Sequence, residues 1–232
     1  MRKVILLLAV LLFFNANAFA GSSELITSAS VIEAQNRIDQ IGFKILNSNG
    51  IEKRTVFDFD TKSTKNAYSA YKDRQIVVYR GMYNRLSSDD EIAAVLAHEI
   101  SHSVDSYQGG LKGYFTFFHN VWFLGAKKYE YKADKRGVDY MVNAGYNPVA
   151  MIVMMSKTFS QTRYDWCSTH PLASRRMMEV YEYIYKKYPE YLVNNKYKDN
   201  PYYQNFLLTS KENRTKFQKK VTSGSKGSVH YL

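Results

Sequence analysis

Ser88-Asp-Asp-Glu-Ile-Ala-Ala-Val-Leu-Ala-His-Glu-Ile-Ser-His102 decides how the rest of the chain is read. Ser88 followed three residues later by Glu91 is a capping box, and Asp89, Asp90 and Glu91 place negative charge where a helix N-terminus favours it. Ile92, Ala93, Val95, Leu96, Ala97 and Ile100 leave almost no polar face, so this helix is expected to be buried. It should run to about Asp105, before Gly109-Gly110 break the chain. His98 and His102 are four residues apart and share a face. Two imidazoles so placed can ligate one metal ion, and Glu99, rotated by about 100° around the axis, flanks the ion without binding it. From there a carboxylate can take a proton from metal-bound water. Buried histidines need partners, and a metal supplies one for both at once.

Working outward, a catalytic zinc needs a third protein ligand and an open position. No histidine stands six residues after His102, which argues against a metzincin arrangement. On a helical stretch from about Lys127 to Ala144, Glu130 and Asp134 share a face with Ala126, Ala133, Gly137 and Met141. The small residues would let this helix approach the His98 helix closely. Glu130 could then ligate the ion, and Asp134 could accept the second ring N–H of a liganding histidine. An ion pair with Lys127 or Lys128 explains Glu130 equally well from spacing alone.

Gly145 ends that helix, Asn147-Pro148 start another, and one more is expected from Pro171 to Lys187. Upstream, Val31, Ala34, Ile38, Ile41 and Ile45 recur at helical spacing as far as Gly50. The runs 55–59, 66–70 and 75–79 are short and β-rich, and read as a small antiparallel sheet or hairpin. The fold class is α+β, mainly helical.

The chain has 232 residues, enough for one domain with appendages, and 45% of them are apolar, which excludes a wholly disordered protein. One cysteine excludes an internal disulfide and a Cys-rich zinc finger. Arg2-Lys3, the apolar run from Val4 to Phe14 and the small residues up to Ala20 read as a signal peptide over 1–20, too short to span a bilayer. The expected organisation is a peptidase-like domain over 21–193 and a basic, Lys/Tyr-rich, partly disordered tail over 194–232. The net charge of +11 favours anionic neighbours such as a membrane or envelope surface. Nucleic acid is not expected for an exported chain without a specific motif.

Taken in order, Ile76-Val-Val-Tyr-Arg-Gly81, the 90–102 segment, Glu130-Tyr-Lys-Ala-Asp134, Gly145-Tyr-Asn-Pro148 and Ser168-Thr-His-Pro171 resemble the zinc peptidases typified by HtpX and the CAAX prenyl proteases. The resemblance spans about 56–188. It implies a gluzincin-type domain holding one zinc ion, with Glu130 as the third ligand after His98 and His102. Asn66-Ala67-Tyr68 resembles the family's Asn-Ala-Phe motif, which implies an edge strand that pairs with a substrate backbone. His170, with Arg176 six residues on, resembles the family's His-Pro…Arg pattern. Near zinc it could donate to an oxyanion or occupy the open position and hold the enzyme idle. Arg176 could pair with Asp134. Unlike the membrane members, this chain has no span after its leader. In the same interval it carries Tyr114-Phe-Thr-Phe-Phe118 and Val121-Trp-Phe-Leu124, which could serve as core, cleft lining or an interfacial patch.

The reading that follows is an exported, periplasmic or secreted zinc endopeptidase. Protein or peptide substrates, misfolded or from the envelope, are its partners, with Glu99 as general base. The rival is a non-proteolytic, metal-stabilised basic protein that binds envelope clients in a chaperone-like way. The intact Glu99 argues for the enzyme, since a structural metal site has no use for a base.

Overall fold

A computed structural model of the chain describes residues 27–70, 74–106, 125–159, 173–225, 229 and 231. The leader, the aromatic stretch 114–124, Cys167 and His170 lie outside the described residues. Helix α1 (Ser28–Ser48) starts on Thr27, whose hydroxyl accepts the Ser30 N–H at 3.2 Å. It buries Ala34, Ile38, Ile41 and Ile45, the positions its periodicity marks.

Three strands follow: β1 (Val56–Asp60), β2 (Ala67–Ala70) and β3 (Gln75–Tyr79), in the spatial order β1-β3-β2. β2 and β3 form the expected antiparallel pair, but β1 joins β3 in parallel, with Val56 opposite Gln75. The sheet is therefore mixed rather than wholly antiparallel. The connection between β1 and β3 runs through β2 and is long enough to return the chain to the same end of the sheet.

The two edges of the sheet are treated differently. Gln35 of α1 donates its amide to the Phe57 carbonyl at 2.8 Å and accepts the Phe59 N–H at 2.7 Å, so its side chain occupies the place of a neighbouring strand along β1. Among the described residues, no strand lies outside β2. The Tyr79 N–H donates to the Asn66 carbonyl at 3.1 Å, and the antiparallel alternation then turns the N–H and C=O groups of Ala67 and Ser69 to the outer side.

After the short α2 (Arg80–Tyr83) comes α3 (Asp89–Ser106), the helix that the opening motif predicts. The Ser88 hydroxyl caps it by accepting the Glu91 N–H at 3.3 Å, while the Glu91 carboxylate reaches back one residue past the cap and accepts the Ser87 N–H at 3.0 Å. Glu91 is also the buried partner of Lys157, 2.7 Å away at the end of α5 (Val149–Thr158). Helix α4 (Gly125–Asn143) crosses α3 at Gly137. A Cβ there would lie 3.4 Å from the His98 nitrogen and 3.0 Å from Met151 Cε, so the helices meet closely and anything larger than a methyl group would crowd the crossing. Helix α5 has Asn147 accepting the Val149 N–H at 3.0 Å, with Pro148 at the cap position, and is buried from Val149 through Met155. Helix α6 (Ala173–Lys187) packs on both α4 and α5.

The segment from residue 194, expected as a partly disordered tail, carries α8 (Pro201–Thr209) and α9 (Lys211–Ser223), after the single turn α7 (Glu190–Val193). Tyr197, Tyr203, Phe206, Phe217 and Tyr231 from this segment are buried in the common core. The Tyr231 hydroxyl donates to Glu182 of α6. No described helix is long and apolar enough to cross a membrane.

Candidate metal centre

Helix α3 is buried without interruption from Asp90 to Ser101 except at Glu99, which is half-buried. Hydrophobic burial of its other faces thus fixes the rotation of α3. One edge, carrying His98, Glu99 and His102, is left for chemistry. Across the Gly137 crossing, α4 presents buried Glu130 and Asp134 to the same edge.

His98 Nε2 and His102 Nε2 are 3.0 Å apart, His102 Nε2 is 3.3 Å from Glu130 Oε1, and His98 Nε2 is 3.6 Å from Glu130 Oε2. One donor atom from each of the three residues lies within 4.8 Å of the other two. Three ligands on a tetrahedral zinc at about 2.0–2.1 Å are separated from one another by about 3.3 Å. The His98–His102 and His102–Oε1 separations lie near that value, and the other Glu130 oxygen is 3.6 Å from His98, so the three side chains are close enough, and of the right chemistry, to hold one zinc ion.

His98 Nδ1 lies 2.9 Å from Asp134 Oδ1. A carboxylate at that distance favours the tautomer with the proton on Nδ1, which leaves the Nε2 lone pair toward His102 and Glu130. Arg176 of α6 is buried and contacts both acids. Its Nε and Nη2 reach Asp134 at 2.8 and 2.6 Å, and its Nη1 reaches Glu130 Oε2 at 2.9 Å. The ring of Phe159, which follows α5, lies under this guanidinium at 4.9 Å. Tyr129 packs on the His102 ring at 4.7 Å, and its hydroxyl donates to the His102 carbonyl at 3.3 Å.

The ionisable groups respond to this packing. Burial raises the Glu99 carboxyl, and the nearby imidazoles only partly pull it back. Burial alone would lower the His98 imidazole, but the hydrogen bond and charge of Asp134 outweigh that and raise it. Burial would likewise raise Asp134, yet Arg176 and His98 hold it below the usual carboxylate range. Arg176 stays charged because its two acids overcome its own desolvation.

His98, His102, Glu130, Asp134 and Arg176 are therefore brought into contact, and Glu99 stands beside them. Arg176 and the two imidazoles are partners of Glu130. Asn66, Ala67 and Tyr68 lie on and beside the edge strand, with Tyr68 exposed and its ring 5.8 Å from that of Tyr79. Sequence reasoning missed the contact of Arg176 with Glu130 and the place of Phe159. Arg176 carries a signal, a cation on an otherwise amphipathic helix at a position that proves buried. Phe159 carries none.

Residues 33–108 and 111–184 match the family described as peptidase family M48, together well over half of the chain. The chain is also similar to the mitochondrial metalloendopeptidase OMA1 of Arabidopsis thaliana, at 29% identity over 44% of this chain. The match spans about a quarter of that relative's length, 26%.

Proposed function

The chain belongs to peptidase family M48, and on that premise we propose that it is a zinc metalloendopeptidase in which His98, His102 and Glu130 hold the metal and Glu99 is the general base. The observation that carries this reading is the cluster of three donors close enough to share one ion, with half-buried Glu99 interrupting the buried run of α3 from Asp90 to Ser101. A bound zinc would supply Lewis acidity, lowering the pKa of a water and polarising the scissile carbonyl.

The protein's own groups do the remainder. Glu99, raised by burial toward the range of an effective base, takes the proton of the attacking water and passes it to the leaving amine. Asp134 keeps His98 in the ligating tautomer. His170 steadies the developing negative charge. In support, Arg176, six residues further on, contacts Glu130.

The edge of β2, along which no described strand lies, supports the substrate class. Outward N–H and C=O groups at Ala67 and Ser69 can pair with any extended backbone, beside the exposed Tyr68. Main-chain pairing selects for extended conformation rather than for sequence, which suits unfolded or misfolded protein clients. Export, with those clients in the envelope, is the location we propose from residues 1–20.

Glu99→Gln tests the assignment with an unfolded protein as substrate. The variant should retain one zinc per chain and lose cleavage by about a thousandfold or more, as expected when a general base is removed from a water activated by a metal. Cleavage at the wild-type rate in a zinc-loaded variant would overturn the mechanism. Zinc-independent, salt-sensitive binding without turnover by the wild type would favour the non-proteolytic reading.

A further inference from the structure

Arg176 divides its guanidinium unevenly. The fork formed by Nε and Nη2 is spent on Asp134, while Nη1 reaches Glu130 at Oε2. Glu130 Oε1 is the oxygen that faces His102, at 3.3 Å. Oε2 also faces an imidazole, 3.6 Å from His98 Nε2, but the Arg176 cation at 2.9 Å is its nearer partner, so the two oxygens of the same carboxylate have different surroundings. Phe159 closes the assembly from a third element, its ring 4.9 Å from Arg176 Cζ. The guanidinium edge is occupied by acids and one flat face by an aromatic ring, and both restrain the rotation that would take Nη1 away from Oε2.

We propose that Arg176, seated on Phe159, is a positioning device that fixes Glu130 as a one-oxygen ligand, so that the chain offers three donor atoms to the metal and not four. The proposal rests on the metal assignment given above and deepens it. Its physical content is a competition. A carboxylate near a divalent cation can bind through one oxygen or chelate through two. A charge-assisted hydrogen bond of 2.9 Å to Oε2 stabilises the one-oxygen mode by giving the second oxygen a partner of its own. Without it, both oxygens are available to the metal, and the coordination position needed for water is crowded. Lysine cannot replace arginine here, because one ammonium cannot span Asp134 and Glu130 in the geometry of a planar fork.

The test measures the metal and not the turnover. Wild type, Arg176→Gln, Arg176→Lys and Phe159→Leu are prepared in the Glu99→Gln background, so that proteolysis cannot disturb the samples. Each is loaded with cobalt(II), whose visible absorption is strong in four-coordinate sites and weaker at higher coordination. Zinc affinity is measured by competition with a chromophoric chelator. The expected result is a weaker, shifted cobalt band in Arg176→Gln and in Arg176→Lys, with zinc bound about 10–100-fold less tightly. Phe159→Leu keeps the packing and removes the π face, and should weaken zinc binding by about threefold to tenfold in the same direction.

Arg176→Gln leaves two buried acids without their cation and can fail to fold. Arg176→Lys and Phe159→Leu retain the charge, and they decide the matter if it does. Cobalt spectra and zinc affinities identical to wild type in those two folded variants would overturn the proposal. A Glu99→Gln protein with Arg176 and Phe159 intact that binds no zinc would instead overturn the metal assignment itself, so the two failures are distinguishable.

Discussion

Asp134→Asn is the most informative single substitution outside the metal ligands. Asp134 is 0% exposed, and three donors converge on it: Arg176 Nη2 at 2.6 Å, Arg176 Nε at 2.8 Å and His98 Nδ1 at 2.9 Å. Asparagine keeps the shape but removes the charge and converts one acceptor oxygen into a donor. With the amide nitrogen in the Oδ1 position it meets both Nη2 and Nδ1; in the Oδ2 position it meets Nε. In either orientation a donor faces a donor. Removing one partner of a buried ion pair costs about 3–5 kcal/mol. Arg176 keeps its contact with Glu130, so the lower end, about 3 kcal/mol, is expected here.

For a chain of this size, with a urea slope of about 2–3 kcal/mol per molar, that loss moves the unfolding midpoint down by roughly 1–1.5 M. The assay is equilibrium urea unfolding of the chelator-treated protein at pH 7. Asp139→Asn serves as the control, because that carboxylate, bound by Tyr183, Tyr188 and Lys187, is still 26% exposed. Zinc affinity, measured separately, should fall by about 10–100-fold as the His98 tautomer is released. A midpoint shift under about 0.3 M in the metal-free variant, worth less than ~1 kcal/mol, would refute the account of the buried pair.

Three further outcomes are expected. Gly137→Val should lose about 1–3 kcal/mol by overpacking and weaken zinc binding, because its side chain intrudes on the α3 backbone at His98; unaltered thermal unfolding would count against the close crossing. Burial alone would raise the Glu182 carboxyl, but hydrogen bonds from Lys186 and Tyr231 and the Lys220 ammonium hold it below its usual value. Its folded pKa lies below its unfolded one, so its contribution is fully present above about pH 4.3 and disappears as pH falls through the folded value. The stability gap between wild type and Glu182→Gln should therefore close on acidification, and a gap that widens would reverse the sign argued here. Gln35→Ala removes two partners of the β1 backbone and should cost about 1–3 kcal/mol in urea unfolding, where a neutral result would mean that water replaces the amide without loss.

Much of the site was legible because it is local. The capping box, the apolar run and the i,i+4 pairs His98/His102 and Glu130/Asp134 are properties of single helices, and the structure confirms those helices within a few residues. What was not legible is set by how elements meet. The run at 55–59 has the same composition whether it pairs in parallel or antiparallel, so the direction of β1 could not be read from it. The last forty residues look like a tail because Tyr203, Phe206 and Phe217 are scattered among lysines, and their common destination in the core emerges only when α8 and α9 fold back. Gln35 is an ordinary helix residue until its neighbour is known to be a strand edge. The meeting of Arg176 with Glu130 depends on the register of α6 against α4, for which no spacing rule exists.

The side chain that stands in for a strand along β1 has a consequence for stoichiometry. A three-stranded sheet with two free borders could hold two guests, or be linked border to border into a growing stack. Here one border is already satisfied by a glutamine amide that belongs to the same molecule. A titration with an extended peptide should thus saturate at a single equivalent per chain, and lateral stacking of copies has no second face from which to continue.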